Sequence, residues 1–328
     1  MRGERTVSCV LPGNKAYFSH REWGQARAKV MKKKRTQNEL SRNRGKAAAM
    51  FAPAIVLLSV FFIGPVLMTL TYSMTNMSLS GAAAKNFKFV GFDNFLNLFK
   101  QPGVGEVIYN TLIFLLFSGI IGQQVLGFIL AMLMKKRVRG VKMFVGLSVS
   151  AGWIAPEAVA IVLFSCVLAP KGLLNSILGL FGIDPLLWLI KYSLVSIIIA
   201  NTWKGCAYSM MMFQAALDGI PEDIMDAAEI DGAGFFQKLF RITIPMIKGN
   251  LTTNFMVITM RTLGTLGLVR GLTGGGPGRS STTLSLLMYQ RAFGSYQIGF
   301  GMAISVILLV AGVLLSVIYA QIVGREKK

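Results

Sequence analysis

The chain has 328 residues, 53% of them hydrophobic and only 15% charged, with a mean hydropathy of +0.58, whereas a soluble protein of this size carries about a quarter charged residues. Apolar runs of roughly 20 residues, long enough to cross a bilayer as helix, recur along it, which excludes a soluble globular protein and points to an all-α polytopic membrane protein. The net charge of +20 does not imply nucleic acid as a partner, because the basic residues fall in tails and short loops between spans, where membrane topology places them.

Residues 1–46 hold 13 of the 34 Lys and Arg, with Lys32, Lys33, Lys34 and Arg35 in a block, and no signal-peptide core follows at the proper distance. They read as a disordered basic tail in the cytoplasm. Met31, directly before the block, is a candidate start, with 1–30 an upstream reading of the frame. A first span is predicted over 47–74, where neighbouring helices make Pro53 and Pro65 tolerable. A polar stretch to Glu106 follows. The second span, 107–134, ends in Lys135, Lys136, Arg137, Arg139 and Lys142, a basic loop that belongs in the cytoplasm. The third, 143–168, carries Pro156 and Glu157. A carboxylate at this depth costs roughly 2.5 to 3.5 kcal/mol on insertion scales, so it faces protein or a water-filled cavity. An apolar outer loop over 172–189 leads to a fourth span, 192–217, which contains Asn201, Trp203, Lys204 and Gln214.

A polar island over 218–249 comes next, with six of the chain's 14 acidic residues: Asp218, Glu222, Asp223, Asp226, Glu229 and Asp231. Pro221 suits a first helical position, and Glu222 and Asp223 favour the positive end of the helix dipole. Glu222, Asp226 and Glu229 then form one acidic face, while Ile224, Ala227 and Ala228 form a smooth apolar one. Gly232 and Gly234 break the helix, and Phe235, Leu239 and Ile242 restart an apolar stripe that Pro245 ends. Two readings fit: a protein-docking loop, or an amphipathic helix lying on the membrane, although such helices are usually basic on their polar face and this one begins acidic.

The fifth span, 250–269, holds Asn254, Thr259 and Arg261, a cation readable as an interhelical ion pair or a snorkelling side chain. Beyond it stands Leu272-Thr273-Gly274-Gly275-Gly276-Pro277, a glycine-rich run without the strand and helix that a phosphate cradle needs. A last span over 298–323 and a basic tail, 324–328, close the chain. Six spans put both termini on one side, and the Lys and Arg abundance makes that side the cytoplasm. Cys9, Cys166 and Cys206 lack metal-ligand spacing and His20 is the only histidine, so zinc chemistry and Ser-His-Asp catalysis have almost nothing to work with. No Walker-type phosphate loop is present, so the chain is expected to be no enzyme, to hold no cofactor or metal, and to depend on another subunit for any ATP and Mg.

The run Asp226-Ala227-Ala228-Glu229-Ile230-Asp231-Gly232-Ala233, followed by Phe240, Ile242 and Pro245, resembles the EAA loop of binding-protein-dependent ABC importer permeases. Val90-Gly91-Phe92-Asp93-Asn94-Phe95, Asn110-Thr111-Leu112, Trp203-Lys204-Gly205 and the Leu-Thr-Gly-Gly-Gly-Pro element are similar to the pattern of its carbohydrate-type branch, which handles maltose, multiple sugars and glycerol-3-phosphate. Asp226 stands where the family has Glu, Ile244 where it has Leu, Gly249 where it has Pro, and Leu266-Gly267 where it has Phe-Asp. The resemblance implies a type I ABC importer transmembrane domain over 47–323, with six helices and both termini cytoplasmic, in a bacterial cell membrane. It implies that 218–249 is a coupling loop whose Asp226, Ala227, Ala228, Glu229, Asp231, Gly232, Ile242 and Pro245 serve contact with an ATPase.

Partners implied in the same way are two ABC ATPase subunits, a second homologous permease forming a heterodimer, and an extracytoplasmic solute-binding protein. The solute is then a sugar or oligosaccharide, or alternatively a polyol phosphate. Asn201, Trp203, Asn254 and Thr259 offer the hydrogen bonds and stacking face that sugars take, though each also fits helix packing. Gly232→Asp or Ala228→Arg is expected to leave insertion intact and uncouple transport. Rival readings are an ion-coupled secondary transporter using Glu157, Lys204 and Arg261, a membrane enzyme, and a regulatory scaffold; the first leaves the polar island unexplained and shows no internal repeat.

Overall fold

The computed structural model describes residues 7–11, 14–18, 50–135 and 139–324, and divides into two units, Met1–Leu67 and Met68–Lys328. In the first unit β1 (Val7–Leu11) pairs antiparallel with β2 (Asn14–Phe18), Val7 opposite Phe18 and Leu11 opposite Asn14. This hairpin departs from the disordered tail read over 1–46. Val7, Val10, Tyr17 and Phe18 are strand formers, and the sequence between the strands is the turn-forming pair Pro12-Gly13. The candidate start at Met31 lies outside the described residues, as does the tail beyond Gly324. Helix α1, Met50–Ser73, is the first long apolar helix.

The second unit continues with α2 (Asp93–Lys100), α3 (Val104–Lys135, with a π-helical stretch at Leu115–Gln123), α4 (Arg139–Ile154), α5 (Glu157–Val167) and α6 (Leu173–Gly179). Then follow α7 (Ser193–Asp218), α8 (Glu222–Ile230), α9 (Ile244–Leu263), α10 (Gly267–Leu272), α11 (Leu284–Tyr289) and α12 (Ile298–Gly324). Among the described residues α1, α3 and α12 are long and apolar enough to cross a membrane, and α4 with α5 form a fourth candidate. Helix α7 has 26 residues and α9 has 20, so they extend about 39 and 30 Å, enough for a hydrocarbon core of about 30 Å although both are more polar. Among the described residues six segments thus have the length to cross, in the order read from the sequence, four of them apolar enough by composition.

The third crossing differs from its expectation. It is not one helix over 143–168 but two, bent by 113° at a break between Ile154 and Glu157. Pro156 lacks an N–H and disfavours helix at Ala155 before it, and it adopts an extended ψ of 150° as the residue ahead of α5. The break carries Glu157 away from the first half of the span and to the N-terminus of the second.

Helix α7 is the hub. Its Ile197 and Ala200 pack into one buried cluster with Phe114, Phe164, Leu268 and Leu286, and its Ala207, Met210, Phe213 and Leu217 into another with Ala131, Val149 and Ile247. Lipid is as apolar as leucine, so such helix contacts depend on close fit rather than on expulsion of water. Gly127 of α3 shows the fit: a Cβ there would meet the Ser209 side chain and lie 2.9 Å from the Met210 backbone nitrogen.

Away from the polar island, side-chain amides and hydroxyls organise the loops. Asn94 donates to the carbonyls of Ser73 and Thr75, both at 2.8 Å. Asn110 donates to Arg279 O at 2.8 Å, and Thr111 Oγ1 accepts from Leu284 N at 2.9 Å. Within the glycine-rich run, Thr282 Oγ1 donates to Gly275 O at 3.0 Å and Ser281 Oγ to Thr273 Oγ1 at 2.8 Å. The Asn-Thr pair and the Gly-Gly-Gly-Pro run, distant in sequence, are therefore two halves of one buried polar joint. Ser280 bonds Ser193 at 2.8 Å, which places this joint at the N-terminal end of α7, roughly 39 Å from the polar island at its C-terminal end.

Candidate functional site

The polar island folds as the sequence pattern dictates, with three adjustments. Pro221 precedes α8 rather than opening it, because its ψ of 135° is extended. Helix α8 ends in a Schellman turn: Ala233 N donates to Ala228 O at 2.9 Å, Gly232 N to Glu229 O at 3.0 Å, and Gly232 has φ of 74°, a conformation glycine takes without a Cβ penalty. The chain then re-enters helix at Phe235–Gln237, where Gln237 Oε1 accepts from Gly234 N at 3.0 Å. The second adjustment concerns Pro245, which does not end the apolar stripe. The helix passes through it into α9 because a π-helical turn, Lys238–Thr243, lies just ahead and widens the backbone where a proline ring would strike the carbonyl four residues back.

Third, the two alanines separate. Ala227 is exposed and Ala228 is buried against this chain itself. Ala228 therefore cannot present its side chain to a partner in this conformation, and Ala228→Arg would clash internally. Asp226, Glu229 and Asp231 are exposed, Ile242 is half-buried in the π turn, and Pro245 is exposed. Lys238 Nζ donates to Glu229 Oε2 at 2.9 Å, bracing α8 to the returning helix, and this hydrogen bond with its charge holds the Glu229 carboxyl below its ordinary value of 4.5.

Around the acids lies an apolar rim that pattern reading undervalued. Ile230 is 86% exposed and Phe236 71%, with Phe236 stacked on Phe240 at 6.5 Å and edge-on to Phe235 at 5.4 Å. The mount beneath is rigid: Ile220 and Met225 pack with Leu217, Phe213 and Ile247. Lys135, at the end of α3, donates to Leu217 O at 2.6 Å, so the C-terminal end of α3 lies beside the end of α7 that leads into the polar island.

A cavity of about 510 Å³ opens within the bundle, lined by Gln123, Glu157, Asn201, Lys204, Arg261 and Thr265 among others. Leu268 N donates to Glu157 Oε1 at 2.9 Å. The Arg261 guanidinium lies over Trp153 at 4.6 Å and Tyr208 at 5.4 Å. Asn201 donates to Ser118 Oγ, which also accepts from Gln123 Nε2 at 3.3 Å; both partners sit in the π-helical stretch of α3, a distortion that frequently marks functional positions. Of the four residues read as sugar contacts, Asn201 lines this cavity. Trp203 instead packs edge-on against Phe164 at 5.4 Å, Asn254 donates to Gln124 Oε1 at 2.8 Å, and Thr259 bonds the Tyr319 hydroxyl at 3.2 Å. Gln123, Trp153 and Tyr208 were not singled out from sequence. The Gln123-Gln124 pair inside an apolar run was a signal for the first; the aromatics carried none.

The architecture is that of an importer's membrane domain. A crystal structure of a bacterial ABC transporter involved in the import of the acidic polysaccharide alginate is similar over 90% of this chain and 100% of its own, with a TM-score of 0.69 at 22% identity. The model of the family described as binding-protein-dependent transport system inner membrane component matches residues 123–328, and the chain belongs to that family. Relatives include the sulfoquinovosyl glycerol transport system permease protein SmoG of Agrobacterium fabrum, 28% identical over 85% of this chain and 91% of the relative. The sn-glycerol-3-phosphate transport system permease protein UgpA of Pectobacterium atrosepticum is 30% identical over 84% and 92%. The trehalose/maltose transport system permease protein MalF of Thermococcus litoralis is 30% identical over 85% and 93%.

Proposed function

We propose that this chain is one of two permease subunits of an ATP-driven importer in a bacterial cell membrane, carrying a sugar or a related polyol derivative delivered by an extracytoplasmic binding protein. The observation that carries this reading is the hairpin from Pro221 to Phe240: acids and aromatics exposed together on a rigid mount at the end of the hub helix. Such a surface has no use in lipid and the composition of a docking site, with aromatic anchors beside charge. Lys135, which in sequence opens a basic loop, is bonded at the same end of α7, and this supports a cytoplasmic position for the hairpin. ATP and Mg belong to two separate ATPase subunits, whose closure pulls the hairpins together and rocks the bundles as rigid bodies between inward- and outward-facing states. Six crossings are few for a closed path, and the cavity beside α7 is open, so a second homologous permease completes it. The relatives' solutes, sulfoquinovosyl glycerol, glycerol-3-phosphate and trehalose or maltose, support the substrate class.

Gentle affinity purification of the chain from native membranes tests this reading. The expected companions are a Walker-motif ATPase, a second six-span permease and a binding protein, and the reconstituted assembly takes up solute only with ATP. A chain that emerges alone and moves solute under an ion gradient overturns it.

A further inference from the structure

The cavity lining carries two cations and one acid in the described residues, all three on helices read as crossings, where an unbalanced charge is costly. Glu157 does not supply the balance. Its carboxylate accepts from Leu268 N, and no ion pair joins it to Lys204 or Arg261. Lys204 is half-buried on α7, and no described residue engages its ammonium by hydrogen bond or ion pair. Arg261 is anchored by cation–π contact with Trp153 and Tyr208, and its N–H groups have no acceptor among the described residues. An arginine anchored on aromatic rings, with its donors free, offers a fork for an oxyanion, and a lysine in the same lining adds a point charge. Asn201 and Gln123 stand in the same lining, both donating to Ser118 Oγ.

We propose that this cavity binds the negatively charged group of the imported solute, with Lys204 and Arg261 as its partners, so that the cargo is a saccharide or polyol bearing a carboxylate, phosphate or sulfonate rather than a neutral sugar. The inference rests on the import reading and narrows its substrate. Binding the anion removes the charge imbalance only while the cargo is present, which favours the loaded cavity over the empty one. Glu157 is held on the Leu268 amide, which ties its carboxylate to the backbone.

The test uses the assembled transporter with its own partners in liposomes, and glycerol 3-phosphate, glucuronate and a sugar sulfonate as probes against maltose and glycerol. The expected result is ATP-dependent uptake of at least one anionic probe that neither neutral compound competes. Lys204→Gln and Arg261→Gln should each raise KM by about ten- to a hundredfold, the range for loss of a hydrogen bond to a charged group, in a transporter that still assembles with its partners, and Lys204→Arg should restore most of it. Uptake confined to neutral probes overturns the inference and leaves the import reading standing. Anionic uptake whose KM is unchanged in both glutamine variants also overturns it, since the anion then binds elsewhere. Solute movement independent of ATP sinks the import reading itself, a distinct outcome read from the same vesicles.

Discussion

Ala227 and Ala228 are neighbours in a run of small residues, yet the structure gives arginine at each a different fate. At the exposed position 227, arginine stays within about 0.7 kcal/mol of alanine in helix propensity and meets no neighbour of this chain, so folding and insertion are unaffected. At position 228 the side chain enters packed protein. Overpacking there costs about 1 to 3 kcal/mol. Carrying an unpaired charge inward adds more, so a total above about 3 kcal/mol is expected, near the exceptional end for single substitutions. The assay compares detergent-extracted yield and thermal unfolding with ATP-dependent uptake at matched expression. Ala227→Arg is expected to match the parent in the first two and lose transport; Ala228→Arg is expected to fail in yield. Equal stability of the two variants, or normal uptake by Ala227→Arg, would refute the assignment of faces on α8.

Three further outcomes are expected. Because Lys238 depresses the Glu229 carboxyl, their pairing contributes fully above the unfolded value of 4.5 and is lost as pH falls through the lower folded value; carboxyl NMR should show Lys238→Ala returning Glu229 toward 4.5. Asn110→Ala removes the amide that serves Arg279 O and Thr282 O, and the stranded carbonyls should cost about 1 to 3 kcal/mol in thermal unfolding. Gln124 Nε2 and Asn254 Oδ1 are both buried without partners although the two amides share one hydrogen bond, so Gln124→Leu or Asn254→Leu alone should destabilise by about 1 to 3 kcal/mol and the double variant by less than the sum.

The spans were legible because bilayer thickness translates directly into run length, and α1, α3 and α12 fall within a few residues of where hydropathy puts them. The helix–break–helix of the polar island was legible because proline, acids and glycines act over a single turn, as the Gly232 turn shows. Local chemistry could not decide whether Pro245 would stop a helix or be absorbed, because that depends on a π turn whose cost is met by packing around Thr243 and Ile247. Nor could it separate Ala227 from Ala228, since one turn of helix presents both and only the tertiary fold buries the second while leaving the first exposed. The cavity lies furthest from the sequence. Gln123, Glu157, Lys204 and Arg261 come from four segments and meet only where a broken third crossing swings its acid toward α10 and a π stretch turns the glutamine of α3 inward. Residue types fix which helices form and which charges a membrane must hide; their meeting point is set by helix rotation and backbone breaks, which depend on what each face finds to pack against.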